Sequence, residues 1–156
     1  PVPLNVSLVK IETAREMLAA CEAALPSDIF VSVAAVADWR PAGTADRKIK
    51  KDKTGVPPMA LVENPDILQT LSAHEKRPTL VVGFAAETHD VTEHARAKLT
   101  KKGCDWIIAN DVSGDVMGGD HNRMIWVAQD GEETWPHETK GDAARRLARK
   151  IAETFS

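Results

Sequence analysis

The sequence predicts a three-layer α/β domain with a largely parallel sheet. Two observations carry that prediction. Apolar runs rich in Val and Ile lie at residues 29–35, 79–85 and 106–109, and such runs suit strands covered on both faces. Between them lie segments whose apolar residues recur at helical spacing, so strands alternate with helices. At 156 residues, 43% hydrophobic and 28% charged, the chain reads as one globular domain spanning residues 1–156, long enough for a real core.

Taken in order, Val6, Leu8, Val9 and Ile11 suggest a short strand. Thr13 and Glu16 have capping-box spacing and mark a helix start. Ala14, Met17, Leu18, Cys21 and Leu25 then form one inward face, and Pro26 stops the helix. Residues 38–55 read as a loop too long for a simple connection, and such loops are often functional. Residues 59–62 suggest a short edge strand.

Asn64-Pro65-Asp66 is a helix start, with Asn64 as cap, Pro65 in the first position and Asp66 favourable in the first turn. Ile67, Leu68 and Leu71 face inward. Gly83, inside the next strand, implies that something approaches the backbone closely. Asp90 and Glu93 cap a helix running to about residue 102, with Val91, Ala95 and Leu99 on its inner face. Lys98 and Lys102 stack on one side of it and suit its C-terminal dipole. Residues 124–128 and 133–135 flank Asp130-Gly131, a hairpin signal. Thr139 caps a last helix whose Ala144, Leu147, Ile151 and Phe155 pack inward.

No run of about 18 or more apolar residues is present, so no membrane-spanning helix is expected. Residues 1–10 lack the basic head and apolar stretch of a secretion signal. Two cysteines make no disulfide scaffold, and reduced, packed thiols in a cytoplasmic protein are expected. The five histidines are scattered, and no zinc spacing is found.

Charge is distributed unevenly. The chain has a formal charge of −3, yet Arg47, Lys48, Lys50, Lys51 and Lys53 cluster in seven positions. A basic cluster on an acidic chain points to a bound anion. In parallel α/β sheets ligands bind beyond the carboxyl ends of the strands. That rule places Asp38, Glu87 and Asn110, each following a strand, on one rim with the basic loop. A carboxylate there can accept ribose hydroxyls, and lysines can neutralise polyphosphate. No Walker loop and no G-x-G-x-x-G occurs, which speaks against an ordinary ATPase and a standard dinucleotide site.

Several motifs stand together in a specific order: AAVADWR from Ala34 to Arg40, KIKK from Lys48 to Lys51, NPDIL from Asn64 to Leu68, GFAAET from Gly83 to Thr88, and ANDVS from Ala109 to Ser113. In this the chain resembles the phosphopantothenate–cysteine ligase family from about Val9 to its end. The resemblance implies a Rossmann-like fold with a small antiparallel hairpin. It implies a CTP-dependent ligation of 4′-phosphopantothenate to L-cysteine through an acyl-cytidylate, releasing pyrophosphate and CMP, in coenzyme A biosynthesis. Magnesium would be held mainly by CTP phosphates, with no protein metal site. FMN would belong only to a fused decarboxylase half, which this sequence does not contain.

Residue by residue, the resemblance implies that the backbone of Ser32, Val33 and Ala34 reads the cytosine edge and Asp38 holds the ribose or base side. Lys48 would contact the phosphates and matter most to turnover. Pro65, Asp66, Ile67 and Leu68 would supply a helix N-terminus near the nucleotide, Phe84 would line the base pocket, and Lys98 and Lys102 would reach the triphosphate. The family's first strand-helix-strand unit, with an asparagine that handles the acyl-cytidylate, has no counterpart in this sequence. An incomplete phosphopantothenate site, an open sheet edge, and weak activity from the segment alone are therefore expected, along with a missing N-terminal piece or companion chain. A homodimer with contacts in residues 113–135 is also expected. The alternative readings are a nicotinamide- or flavin-binding domain, disfavoured by the absent glycine fingerprint, and a nucleic-acid module, disfavoured by 4% aromatic content and the acidic balance.

Overall fold

The fold is taken from a computed structural model, which describes residues 2–43, 59–112 and 121–156. In chain order the elements are α1 (Ala14–Ala23), β1 (Ile29–Ser32), β2 (Trp39–Pro41), β3 (Leu61–Glu63), α2 (Ile67–Ser72), β4 (Leu80–Glu87), α3 (Val91–Lys102), β5 (Trp106–Asp111), β6 (His121–Ala128), β7 (Gly131–Thr134), β8 (Glu138–Thr139) and α4 (Lys140–Thr154). The main sheet runs β1-β4-β5-β6-β7, with β8 also on β6, and β2 and β3 form a separate pair. Strands β1, β4 and β5 are parallel, with β1 at the end of the order, whereas β6, β7 and β8 extend the sheet in antiparallel fashion.

Alternation along β4 and β5 sorts side chains into two layers. Val81, Ala85, Ile107 and Ala109 face Leu68 of α2 and Ala95 and Leu99 of α3. Leu80, Val82, Trp106 and Ile108 face Trp135 and the Ala143 and Leu147 positions of α4. Five polar contacts fasten the ends of these layers. Asp105 accepts from Arg77 at 2.8 Å and from the Val81 amide at 2.7 Å, tying β4 to the start of β5. On the other side Lys150 sits 4.0 Å above the Trp126 ring and pairs with Glu133, and Arg146 pairs with Glu138.

The local chemistry explains most helix ends. In α1 the Glu16 amide donates to the Thr13 hydroxyl while the Thr13 amide donates to the Glu16 carboxylate, so the capping box is complete. The Glu12 amide also donates to that carboxylate, and the Glu12 and Thr13 amides together hold the Glu16 carboxyl below the ordinary range. The Asp142 amide donates to Thr139, which caps α4. Gly103 takes the left-handed conformation that ends α3, with φ 66°.

Several expectations are corrected. Val6, Leu8, Val9 and Ile11 form no strand and are exposed; alternation alone makes a strand only where a neighbour accepts its hydrogen bonds. The run at residues 29–35 forms a strand only over Ile29–Ser32, with Ile29 and Val31 exposed rather than covered. The inward face of α1 is half-buried and none of its residues is fully buried. Asn64 does not cap α2: Asp66 does, by accepting from the Gln69 amide. Asp90 precedes α3, but with φ 47° its side chain makes no cap bond. On α4 Leu147 and Ile151 face inward as expected, but Ala143 rather than Ala144 is the buried alanine and Phe155 is exposed. β2, in the assumed loop, is held by pairing with β3 rather than by its own pattern.

The close approach at Gly83 is a packing contact. A Cβ there would lie 2.5 Å from Leu68 Cδ2 and 2.9 Å from Ile107 Cδ1, both on buried side chains. Gly83→Ala is expected to destabilise the fold by about 1–3 kcal/mol through overpacking. In a double-mutant cycle by urea unfolding, Leu68→Ala should cost less in the Gly83→Ala background than alone. Strict additivity would show that the two sites do not compete for the same space.

Candidate functional site

The carboxyl ends of β1, β4 and β5 open onto a cleft of about 1230 Å³. Ser32, Val33, Ala34 and Asp38, at and beyond the end of β1, form one wall. Pro65, Asp66, Ile67 and Leu68 continue it, Phe84 borders it from β4, and Lys98 and Lys102 enter from α3. Lys48 and the cluster at residues 47–53 lie outside the described residues. The strand-end rule therefore gathers the remaining candidates at one place. Glu87 of the assumed rim is not in the cleft wall; it bonds His94 of α3 at 3.2 Å.

The wall beyond β1 is braced by side chains. The Asn64 amide group donates to the Ala37 carbonyl at 2.8 Å, and the Asn64 backbone amide donates to the Asp38 carbonyl at 2.7 Å. Arg40 donates to the Glu63 carbonyl and to the Asn64 side chain. Asn64 is thus a strut between the loop after β1 and the start of α2, which explains why it is not the cap.

The α3 wall is cationic. Lys98 donates to the Phe84 carbonyl at 2.8 Å, which fixes its ammonium at the strand end. Lys102 pairs with the Asp66 carboxylate, and Lys101 borders the same space. Partial burial pushes the Asp66 carboxyl up, but the Lys102 hydrogen bond, the Gln69 amide and the charges of Lys102 and Lys101 outweigh it and hold it below the ordinary range. Asp66 both caps α2 and neutralises Lys102, so an anion entering here meets a lysine that already has a partner.

Burial raises the Cys104 thiol to about 11, so it is a packed thiol and not a nucleophile at neutral pH. Among the described residues no group of three or more His, Cys, Asp or Glu side chains comes together as a metal site, and no helix is long and apolar enough to cross a membrane. Sequence reasoning overlooked Trp39, Lys101, Trp135 and Lys140, which also border the cleft. The positions of Lys101 and Trp39, next to Lys102 and Asp38, were the available signal.

Because the Asp66 carboxyl is depressed on folding, its contribution to stability is present above the unfolded pKa and is lost as pH falls through the lower folded value. Lys102→Met should therefore cost at most about 1 kcal/mol at neutral pH, as partly exposed pairs do. Urea unfolding at pH 7 and near pH 3 checks this: the penalty should shrink at the acid end. A penalty independent of pH would assign it to packing of the lysine stem.

Residues 1–155 match the family described as the DNA/pantothenate metabolism flavoprotein C-terminal domain. The chain is 43% identical over 160 residues to the coenzyme A biosynthesis bifunctional protein CoaBC of Escherichia coli K12, covering 99% of this chain and 39% of that protein. It is 40% identical over 155 residues to the CoaBC protein of Vibrio vulnificus YJ016, covering 97% of this chain and again 39% of that protein. The chain thus spans about two fifths of these relatives. Among solved structures, the C-terminal domain of a CoaBC protein superposes with TM-score 0.76 at 32% identity, covering 98% of this chain and 68% of that one. The DNA/pantothenate metabolism flavoprotein of Streptococcus pneumoniae shares the fold with TM-score 0.79 at 23% identity, covering 99% of this chain and 76% of that one. By sequence match, by relatives and by fold, the chain belongs to the DNA/pantothenate metabolism flavoprotein C-terminal domain family.

Proposed function

We propose that this chain carries the nucleotide-binding part of a CTP-dependent phosphopantothenate–cysteine ligase. The observation that carries the reading is the cleft itself: one helix face delivers Lys98 and Lys102 to the strand ends where the loop bearing Asp38 begins. Membership of a family whose relatives are coenzyme A biosynthesis proteins supports it. CTP is the activating nucleotide, and 4′-phosphopantothenate and L-cysteine are the joined substrates.

The chemistry asks for alignment and charge neutralisation. A carboxylate oxygen of phosphopantothenate attacks the α-phosphorus of CTP; the bond to the β-phosphate breaks and pyrophosphate leaves with the electron pair. The cysteine amine then attacks the acyl carbon, the acyl–oxygen bond breaks, CMP leaves with that pair, and the nitrogen releases its proton to solvent. Ser32, Val33 and Ala34 read the cytosine through backbone groups, Asp38 holds the ribose or base side, and Phe84 lines the base pocket. Lys98 and Lys102, with Lys48 of the basic cluster, neutralise phosphate charge. Pro65, Asp66, Ile67 and Leu68 form the adjoining wall. Magnesium would be held mainly by the nucleotide's phosphates. The working form is a cytoplasmic homodimer.

Calorimetric titration should show CTP binding that ATP does not match. In the protein that carries this segment, Lys48→Gln should lower turnover by about 10²-fold or more, the scale of losing one charge-stabilising group, with little change in unfolding midpoint. Undiminished turnover in that variant would remove Lys48 from the machinery, and equal affinity for ATP would remove the cytosine-reading role of Ser32, Val33 and Ala34.

A further inference from the structure

The cleft has a second arm, on the opposite face of the sheet from the lysines of α3. Asn110 lies near the end of β5, in register between Ala86 of β4 and Met124 of β6. Strand alternation puts it on the face of Ile108 and Trp106, which is the α4 side. Trp135 is adjacent, since its amide donates to the Met124 carbonyl at 2.8 Å. Asn110, Met124, Trp135 and Lys140 all border the cleft.

Among the described residues two buried polar atoms here have no hydrogen-bond partner: the acceptor Asn110 Oδ1 and the donor Trp135 Nε1. Trp135 as a whole is only 2% exposed. Buried polar groups are nearly always paired, and each orphan calls for an explanation. The indole of Trp126 is also an orphan, but it lies away from the cleft wall. An unmatched acceptor and an unmatched donor on neighbouring residues, with the cation of Lys140 on the same arm, have the polarity of a free amino acid: N–H donors at one end, a carboxylate at the other.

Resting on the ligase reading above, we infer that this arm seats the incoming amino acid. Asn110 Oδ1 accepts from its amino group, while Trp135 Nε1 and Lys140 receive its carboxylate. A neutral acceptor suits a nucleophilic amine. A carboxylate in its place would favour the ammonium form, which cannot attack. The setting also suits a small side chain bearing a thiol, because Ile108 and Met124 supply an apolar, polarisable wall. Met124 is half-buried and unbranched, and it is the side chain that moves aside to admit the ligand. The phosphate-binding lysines then lie on the α3 side and the amine on the α4 side, next to Phe84, which packs against the same cluster as Trp135 and Ile108.

The test separates the two half-reactions in the protein that carries this segment. Pyrophosphate release from CTP and 4′-phosphopantothenate is measured without cysteine, and ligation is measured against L-cysteine concentration. Asn110→Ala and Trp135→Phe should each leave pyrophosphate release within about twofold, which also reports that the variant is folded. Each should raise the KM for L-cysteine about tenfold, the scale of one lost hydrogen bond. Lys140→Met should do the same with no change in unfolding midpoint. An unchanged KM for cysteine, or pyrophosphate release that falls in step with ligation, overturns the subsite while leaving the ligase reading intact. Absence of CTP-dependent pyrophosphate release in the wild type overturns the ligase reading and the subsite with it.

Discussion

The burial of β4 and β5 on both faces is the constraint on which the rest depends. Val81, Val82, Ile107 and Ile108 are each fully excluded from solvent. Consecutive residues of one strand point in opposite directions, so both sides of the sheet have to be covered. That requirement places α2 and α3 on one side and α4 on the other. It also leaves the carboxyl ends of the strands as the place where loops diverge to either face. The cleft lies where that divergence occurs, and its two arms inherit the chemistry of the helices flanking them: cationic beside α3, apolar with isolated polar groups beside α4.

Precision on the β1 side comes from a different source. The chain after β1 contributes little packing, and its geometry is set by the strut of Asn64 and the fork of Arg40 across the β2–β3 pair. These bonds couple AAVADWR to NPDIL. Two motifs separated in sequence thus form one rigid wall, and substituting Asn64 would disturb both.

Much of this was legible in the residues, for physical reasons. The buried strands carry their signal in unbroken apolar runs, and the α1 and α4 starts carry theirs in Thr13, Glu16 and Thr139, whose side chains bond amides three residues away. The signal fails where tertiary partners decide. Val6 to Ile11 suggests a strand but pairs with no strand among the described residues, whereas Trp39–Pro41 does not look like one and pairs with β3. Asn64 reads as a cap because its type suits one, yet the loop carbonyl of Ala37 holds it instead. For the site, the strand-end rule and the motif order pick out residues that line the lysine side of the cleft. The orphan atoms of Asn110 and Trp135 were beyond reach, since only coordinates reveal which buried groups lack partners.

The pairing of Lys102 with Asp66 sets a threshold for the α3 arm. A weakly charged visitor such as inorganic phosphate gains little by breaking an existing contact and exposing a carboxylate beside itself. A chain of linked phosphates, gripped simultaneously at other points, can dislodge the resident acid because its remaining contacts compensate for the repulsion. An internal counter-ion of this kind would act as a filter: it offsets one of the lysine charges at rest and would favour long, multiply anchored anions over the small ones that crowd a cell.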